Sequence, residues 1–225
     1  VAAAWNKAFV GWMPALADTP ATTRHLPAAT PVRVSEDMEV SQGKLCMGWS
    51  CGENFTTLRN RPDDLAAYAV CNELLGVMQS SRLYRYVREE LGLCYFCDSA
   101  LDMTKGILWV SCGIRSDKRE EAEAAITEQL TRLQRGDISP ADVEMARLSL
   151  QNAYCQIGDS QSSAEVFAFN RLMNAPADTP EDELERIMAV TPADVERVAR
   201  RFKPDTVFFL NGTAAGEGEG EDDDD

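Results

Sequence analysis

Residues Ser80–Ser99 read SSRLYRYVREELGLCYFCDS, and this stretch places a helix, a stop and a strand in direct succession. Ser80 or Ser81 supplies a cap, since a hydroxyl at a helix start accepts a free backbone N–H. Leu83, Tyr86, Val87 and Leu91 then fall at helical spacing on one face. Gly92 is the expected terminator, because it enters the left-handed region without strain. The strand opens at Cys94-Tyr95-Phe96-Cys97. Arg88 in the last helical turn and Tyr95 at the mouth of the strand therefore flank a sharp reversal, where both can point the same way. An arginine offers a permanently charged fork of donors and a tyrosine adds a neutral one, a pair suited to a carbonyl or carboxylate oxygen. The same spacing also allows Arg88 to pair with Glu89 or Glu90 and Tyr95 to lie half-buried.

Upstream, Arg61 to Leu75 has a wide apolar face made by Leu65, Tyr68, Ala69, Cys71, Asn72 and Leu75, with Gly76 expected to close the helix. Before it, Val32–Val34 and 39–52 read as extended chain. Leu45, Met47, Trp49 and Cys51 alternate there with Lys44, Cys46, Gly48 and Ser50. Downstream, 94–103 and 106–114 form an antiparallel pair turning at Thr104-Lys105-Gly106, with Leu108, Val110 and Cys112 opposing Ile107, Trp109 and Ser111. From Asp117 the periodicity becomes helical, through Ala122, Ala125, Ile126, Leu130 and Leu133 up to Gly136. Three helix starts share one chemistry: Ser139-Pro140-Ala141-Asp142, Thr179-Pro180-Glu181-Asp182 and Thr191-Pro192-Ala193-Asp194. In each a hydroxyl caps, proline takes the first helical position and the acid favours the helix dipole. Gly158-Asp159-Ser160 interrupts the long helix from Ser139, with the Asp-Ser pair read as a cap for 163–173. Thr206–Asn211 (TVFFLN) is a closing strand.

This order buries its stripes most simply as an α+β sandwich, a mainly antiparallel sheet with helices packed on one face. The domain is expected over 32–212. Residues 1–31 read as the end of an upstream domain, with Trp5, Phe9 and Trp12 on one stripe, followed by a proline-rich linker. The acidic tail, 213–225, lacks the apolar content to order itself.

The 225 residues are 44% apolar and 26% charged, a globular composition, with a formal net charge of −15 to which Glu217, Glu219, Glu221 and Asp222–Asp225 contribute heavily. An acidic body with an acidic tail argues against nucleic acid as a partner. No apolar run approaches the roughly 20 residues of a membrane helix. The seven cysteines are spread through apolar segments and read as buried thiols in a reducing, cytoplasmic setting. Strand alternation puts Cys94 and Cys97 on opposite faces, which argues against metal or redox use of the C-x-x-C phrase. His25 is the only histidine and sits in a Pro/Ala/Thr-rich segment that reads as exposed loop. A histidine-based zinc site or triad therefore cannot be completed here, and no catalytic residue, metal ligand or cofactor is assigned to these residues.

The phrase SSRL followed by R-x-x-L-G-x-x-Y, Arg88 to Tyr95, resembles the second, non-catalytic domain of the insulinase/pitrilysin-type zinc metallopeptidases, the mitochondrial processing peptidases among them. The likeness spans about residues 32–212. It implies that Arg88 and Tyr95 reach into a chamber and hold substrate backbone beside a zinc site on another domain or a partner subunit. Zinc is expected only on that missing half, since the family's H-x-x-E-H helix needs two histidines. The family's L-G-G-G is Leu75-Gly76-Val77 here, a change that stiffens a junction where active relatives would flex. The phrase VSQGKLCMGWS, 40–50, more narrowly resembles a bacterial branch associated with elongation factor P 5-aminopentanol modification. The expected function is thus a non-catalytic domain that grips extended peptide. The alternative is an assembly module without peptide handling, supporting such a modification system.

Overall fold

In the computed structural model, residues 24–155, 161–172 and 179–213 are described. Five strands, β1 (Val32–Met38), β2 (Gly43–Ser50), β3 (Cys94–Asp102), β4 (Ile107–Ile114) and β5 (Lys203–Gly212), form one sheet in the order β1-β5-β2-β4-β3. β1 runs parallel to β5, and the other neighbours are antiparallel. The closing strand thus inserts between the first two instead of adding to an edge, and β3 is left at the far edge.

Register aligns the apolar rows. Phe209, Leu45, Cys112 and Cys97 are successive cross-strand partners, as are Val207, Met47, Val110 and Ser99. All eight are buried, whereas Cys46, Trp109, Ser111, Phe208 and Leu210 on the other side are only half-buried. The helices are α1 (Phe55–Leu58), α2 (Pro62–Asn72), α3 (Leu83–Glu90), α4 (Arg119–Gln134), α5 (Pro140–Cys155), α6 (Gln161–Leu172), α7 (Pro180–Ala189) and α8 (Pro192–Ala199), of which α2, α3, α4 and α8 bring apolar side chains to the first face. The core joins the sheet to Ala67, Val70 and Leu74 of α2 and its extension, Leu83 and Val87 of α3, Ile126 and Leu130 of α4 and Val195 and Val198 of α8. At about 1.5–3 kcal/mol for each large apolar side chain fully buried, this layer is the main source of stability.

The three proline-led helix starts behave as their sequences require. Ser139, Thr179 and Thr191 each accept the N–H of the acid three residues on, and each acid accepts the N–H of its cap residue in return. The β3–β4 hairpin closes at Gly106, whose φ is +74°.

Several expectations are corrected. Gly76 does not end its helix: α2 continues through a wide-turned segment, Glu73–Val77. A Cβ at Gly76 would stand 2.6 Å from the Ser99 nitrogen, so glycine is needed for close approach to β3. α3 is also wound widely, with Leu91 N–H bonding to Tyr86 O at 3.0 Å. That looser winding carries Leu91 out of the apolar stripe, and it is 53% exposed while Leu83 and Val87 are buried. Ser50, expected outward, is buried because its Oγ donates to His25 O at 2.7 Å and accepts from Gly52 N–H. The stripe at Trp5, Phe9 and Trp12, the Asp159-Ser160 cap and the acidic tail lie outside the described residues.

Candidate functional site

Two gatherings of polar side chains among the described residues have different consequences. In the first, Glu53 accepts from Arg61, Arg201 and the Tyr68 hydroxyl, and Asp64 accepts from Arg61 and Arg197. Burial alone would raise the Glu53 carboxyl, but hydrogen bonds from Arg61 and Arg201 outweigh it and hold it below the usual carboxylate range. Every strong acceptor here is occupied, so the cluster clamps α2 and α8 to the segment after β2.

The second lies at the join of α3 and β3. The register shifts between Cys94, opposite Ile114, and Phe96, opposite Gly113, so Tyr95 is an extra, bulged residue. The bulge pushes Tyr95 into solvent at 76% exposure, not half-buried. Arg88 lies over the Tyr84 ring, 4.7 Å from its centroid, and 6.0 Å from the centroid of Tyr95. Among the described residues its one ion pair is a 3.5 Å approach of Nε to the exposed Glu89. The structure thus brings the two sequence-selected residues together. Arg88 also lines a groove of about 440 Å³ with Val77, Met78, Tyr84, Phe96 and Asp98. Because Phe96 and Asp98 belong to the outer face of β3 while Tyr84 and Arg88 come from the helix side, the groove straddles the free edge of that strand.

The bulge overturns the reading of the C-x-x-C phrase. Without it Cys94 and Cys97 would face opposite sides; the extra residue returns both to the helix side, where Cys97 sits directly opposite Cys112. The three Sγ atoms lie within 4.8 Å of one another. Hydrogen bonds from Cys112 and Cys97 hold the Cys94 thiol well below its ordinary range, against the opposing effect of burial and with the Arg88 charge assisting. No local rule in the sequence announces this convergence, because the inserted residue shows only in the pairing with β4.

His25 is exposed, as its sequence context suggests, yet it is anchored: its Nε2 is 2.8 Å from Asp205 Oδ1 and its N–H reaches Lys105 O. It is the only histidine of the 225 residues, and no group of metal-capable side chains among the described residues includes it. The donor set does not fit a histidine-based catalytic zinc, and no hydrolytic step follows from these side chains.

A family model for the "Peptidase M16 inactive domain" matches residues 6–150. The chain belongs to that family. The match begins inside the 1–31 segment and ends within α5. The chain is similar to the "Probable inactive metalloprotease YmfF" of Bacillus subtilis (strain 168), at 30% identity over 184 residues, 81% of this chain and 42% of that protein. It spans about two fifths of the length of the curated relatives it matches, at 42% and 41%. Among solved structures, a conserved protein from Enterococcus faecalis V583 superposes with a TM-score of 0.78 at 25% identity, covering 88% of this chain and 45% of that one. A peptidase M16 inactive domain from Pseudomonas fluorescens gives 0.66 at 18% identity, covering 92% and 48%. The domain is therefore an inactive-type M16 peptidase-like domain, of a kind that occurs in zinc protease-like proteins. No described helix is long and apolar enough to cross a membrane.

Proposed function

We propose that this M16 domain holds extended peptide for a zinc-bearing domain or partner subunit, with Arg88 and Tyr95 as the gripping pair. The observation that carries the reading is the groove at the free edge of β3, entered by an arginine whose only acidic partner among the described residues is an exposed neighbour. A peptide laid along this edge satisfies its backbone as an added strand. The Arg88 fork donates to a peptide carbonyl and the Tyr95 hydroxyl to the same or the next oxygen. Stacking on Tyr84 limits the rotamers Arg88 must give up on binding. Proton transfer and water activation belong to the other half, which brings the zinc.

The test is anisotropy of a fluorescent extended-peptide library on this chain and on its Arg88→Ala/Tyr95→Phe variant, with zinc content measured on both. Saturable binding by metal-free protein, weakened at least tenfold in the variant, is expected, since a charge-assisted hydrogen bond is worth about 1.5–3 kcal/mol. Equal binding by the two proteins removes Arg88 and Tyr95 from the reading. Absence of binding in both favours the assembly module, for which the likeness of 40–50 to the elongation factor P modification branch names the setting to examine.

A further inference from the structure

We propose that Cys94, Cys97 and Cys112 form a three-thiolate site for a soft monovalent cation, Cu(I), on the helix-facing side of the β3–β4 pair. The geometry is built by backbone and not by chance rotamers. Cys97 and Cys112 are direct cross-strand partners, and the bulge at Tyr95 turns Cys94 to the same side. With metal–thiolate bonds of about 2.3 Å, three sulfurs around one ion stand about 4 Å apart. The observed separations, all within 4.8 Å, close to that by small side-chain rotations.

The donor set selects the ion. Three thiolates are soft ligands that favour Cu(I) and other thiophilic metals over Mg²⁺ or Ca²⁺, which take oxygen. Among the described residues no fourth histidine, cysteine or carboxylate joins the group. A structural zinc site needs four ligands, whereas Cu(I) is content with three. Bound Cu(I) leaves two net negative charges on the site, and Arg88, whose charge already acts on Cys94, offsets part of this. On binding, three Cu–S bonds form, the thiol protons pass to solvent, and copper stays Cu(I) throughout.

Burial fits a guarded site. Cys97 and Cys112 are 6% and 1% exposed, while Cys94 is half-buried at the rim beside α3. Cys94 is thus the sulfur through which an incoming ion exchanges ligands. Cys46, on the outer face of β2, and exposed Cys155 at the end of α5 belong to other surfaces and serve as controls.

The experiment is an anaerobic titration of the phosphine-reduced chain with Cu(I) in competition with a chromophoric chelator. One equivalent is expected per chain, with three sulfur neighbours by X-ray absorption. Uptake should weaken at least tenfold in Cys94→Ser and remain unchanged in Cys46→Ser and Cys155→Ser. Because loss of a core thiol can disturb folding, alkylation footprinting of the wild-type chain gives a second readout: Cu(I) should protect half-buried Cys94 and leave exposed Cys155 reactive. The proposal is overturned if wild-type protein fails to compete for Cu(I), if Cys94→Ser retains full uptake, if protection falls elsewhere, or if zinc displaces copper into a four-ligand site.

Discussion

Glu53 and Arg88 are both charged side chains beside the helix layer, and their surroundings treat them in opposite ways. Glu53 is enclosed by two guanidinium groups and a phenol, and Arg61 and Arg201 are in turn shared with Asp64. Arg88 has two aromatic rings for support and only a loose contact with Glu89. A saturated cluster spends its hydrogen-bonding capacity on the fold, while an undersatisfied one keeps donors for something else. Substitutions at the first should therefore damage stability, and at the second binding.

The largest effect is expected at Glu53. Glu53→Ala takes the carboxylate from the buried Tyr68 hydroxyl and leaves Arg61 and Arg201 to Asp64 alone, and should cost about 3 kcal/mol, the upper end for leaving a buried polar group without its partner, read as a lower urea midpoint. The same carboxyl has a pH signature. Its folded pKa is lowered, so its contribution is fully present above the unfolded value of about 4.3 and is lost as pH falls through the folded one. Glu53→Gln should flatten the acid limb of the stability profile; an unchanged limb would break the contrast with Arg88.

Gly76→Ala comes next, because the new Cβ meets the Ser99 backbone at 2.6 Å and Leu83 Cδ1 at 2.7 Å. Overpacking here should cost about 2 kcal/mol in denaturant unfolding. The new methyl pushes β3 and α3 away from the Glu73–Val77 segment, which lines the groove at Arg88, so peptide binding should fall in parallel. A smaller effect is expected for Thr191→Ala, which removes a reciprocal cap at a cost of about 1 kcal/mol without touching binding. The smallest stability change belongs to Arg88→Ala, within about 0.5 kcal/mol as for a surface site, even as peptide binding falls. A large loss of stability in that variant would place Arg88 with Glu53 as a structural charge.

Much of this architecture was legible from local pattern. The inward rows at Leu45, Met47 and Trp49 and at Leu108, Val110 and Cys112, the glycine turn at 106 and the three Ser/Thr-Pro-x-Asp/Glu-type helix starts all rest on relations within a few residues. There, alternation, helical period and capping stereochemistry operate directly. The nearness of Arg88 and Tyr95, seven positions apart on either side of one reversal, was legible in the same way. Three features were not. The insertion of β5 beside a parallel β1, the enclosure of Glu53 by Arg201 at the far end of the chain, and the return of Cys94 to the side of Cys97 all depend on which strand lies next to which, and in what register. Sequence by itself determined the elements, their caps and their apolar faces, because neighbouring side chains enforce those. Only the tertiary structure decided the Glu53 cluster, the meeting of the three cysteines and the bulge, because pairing between distant strands sets which side chains meet.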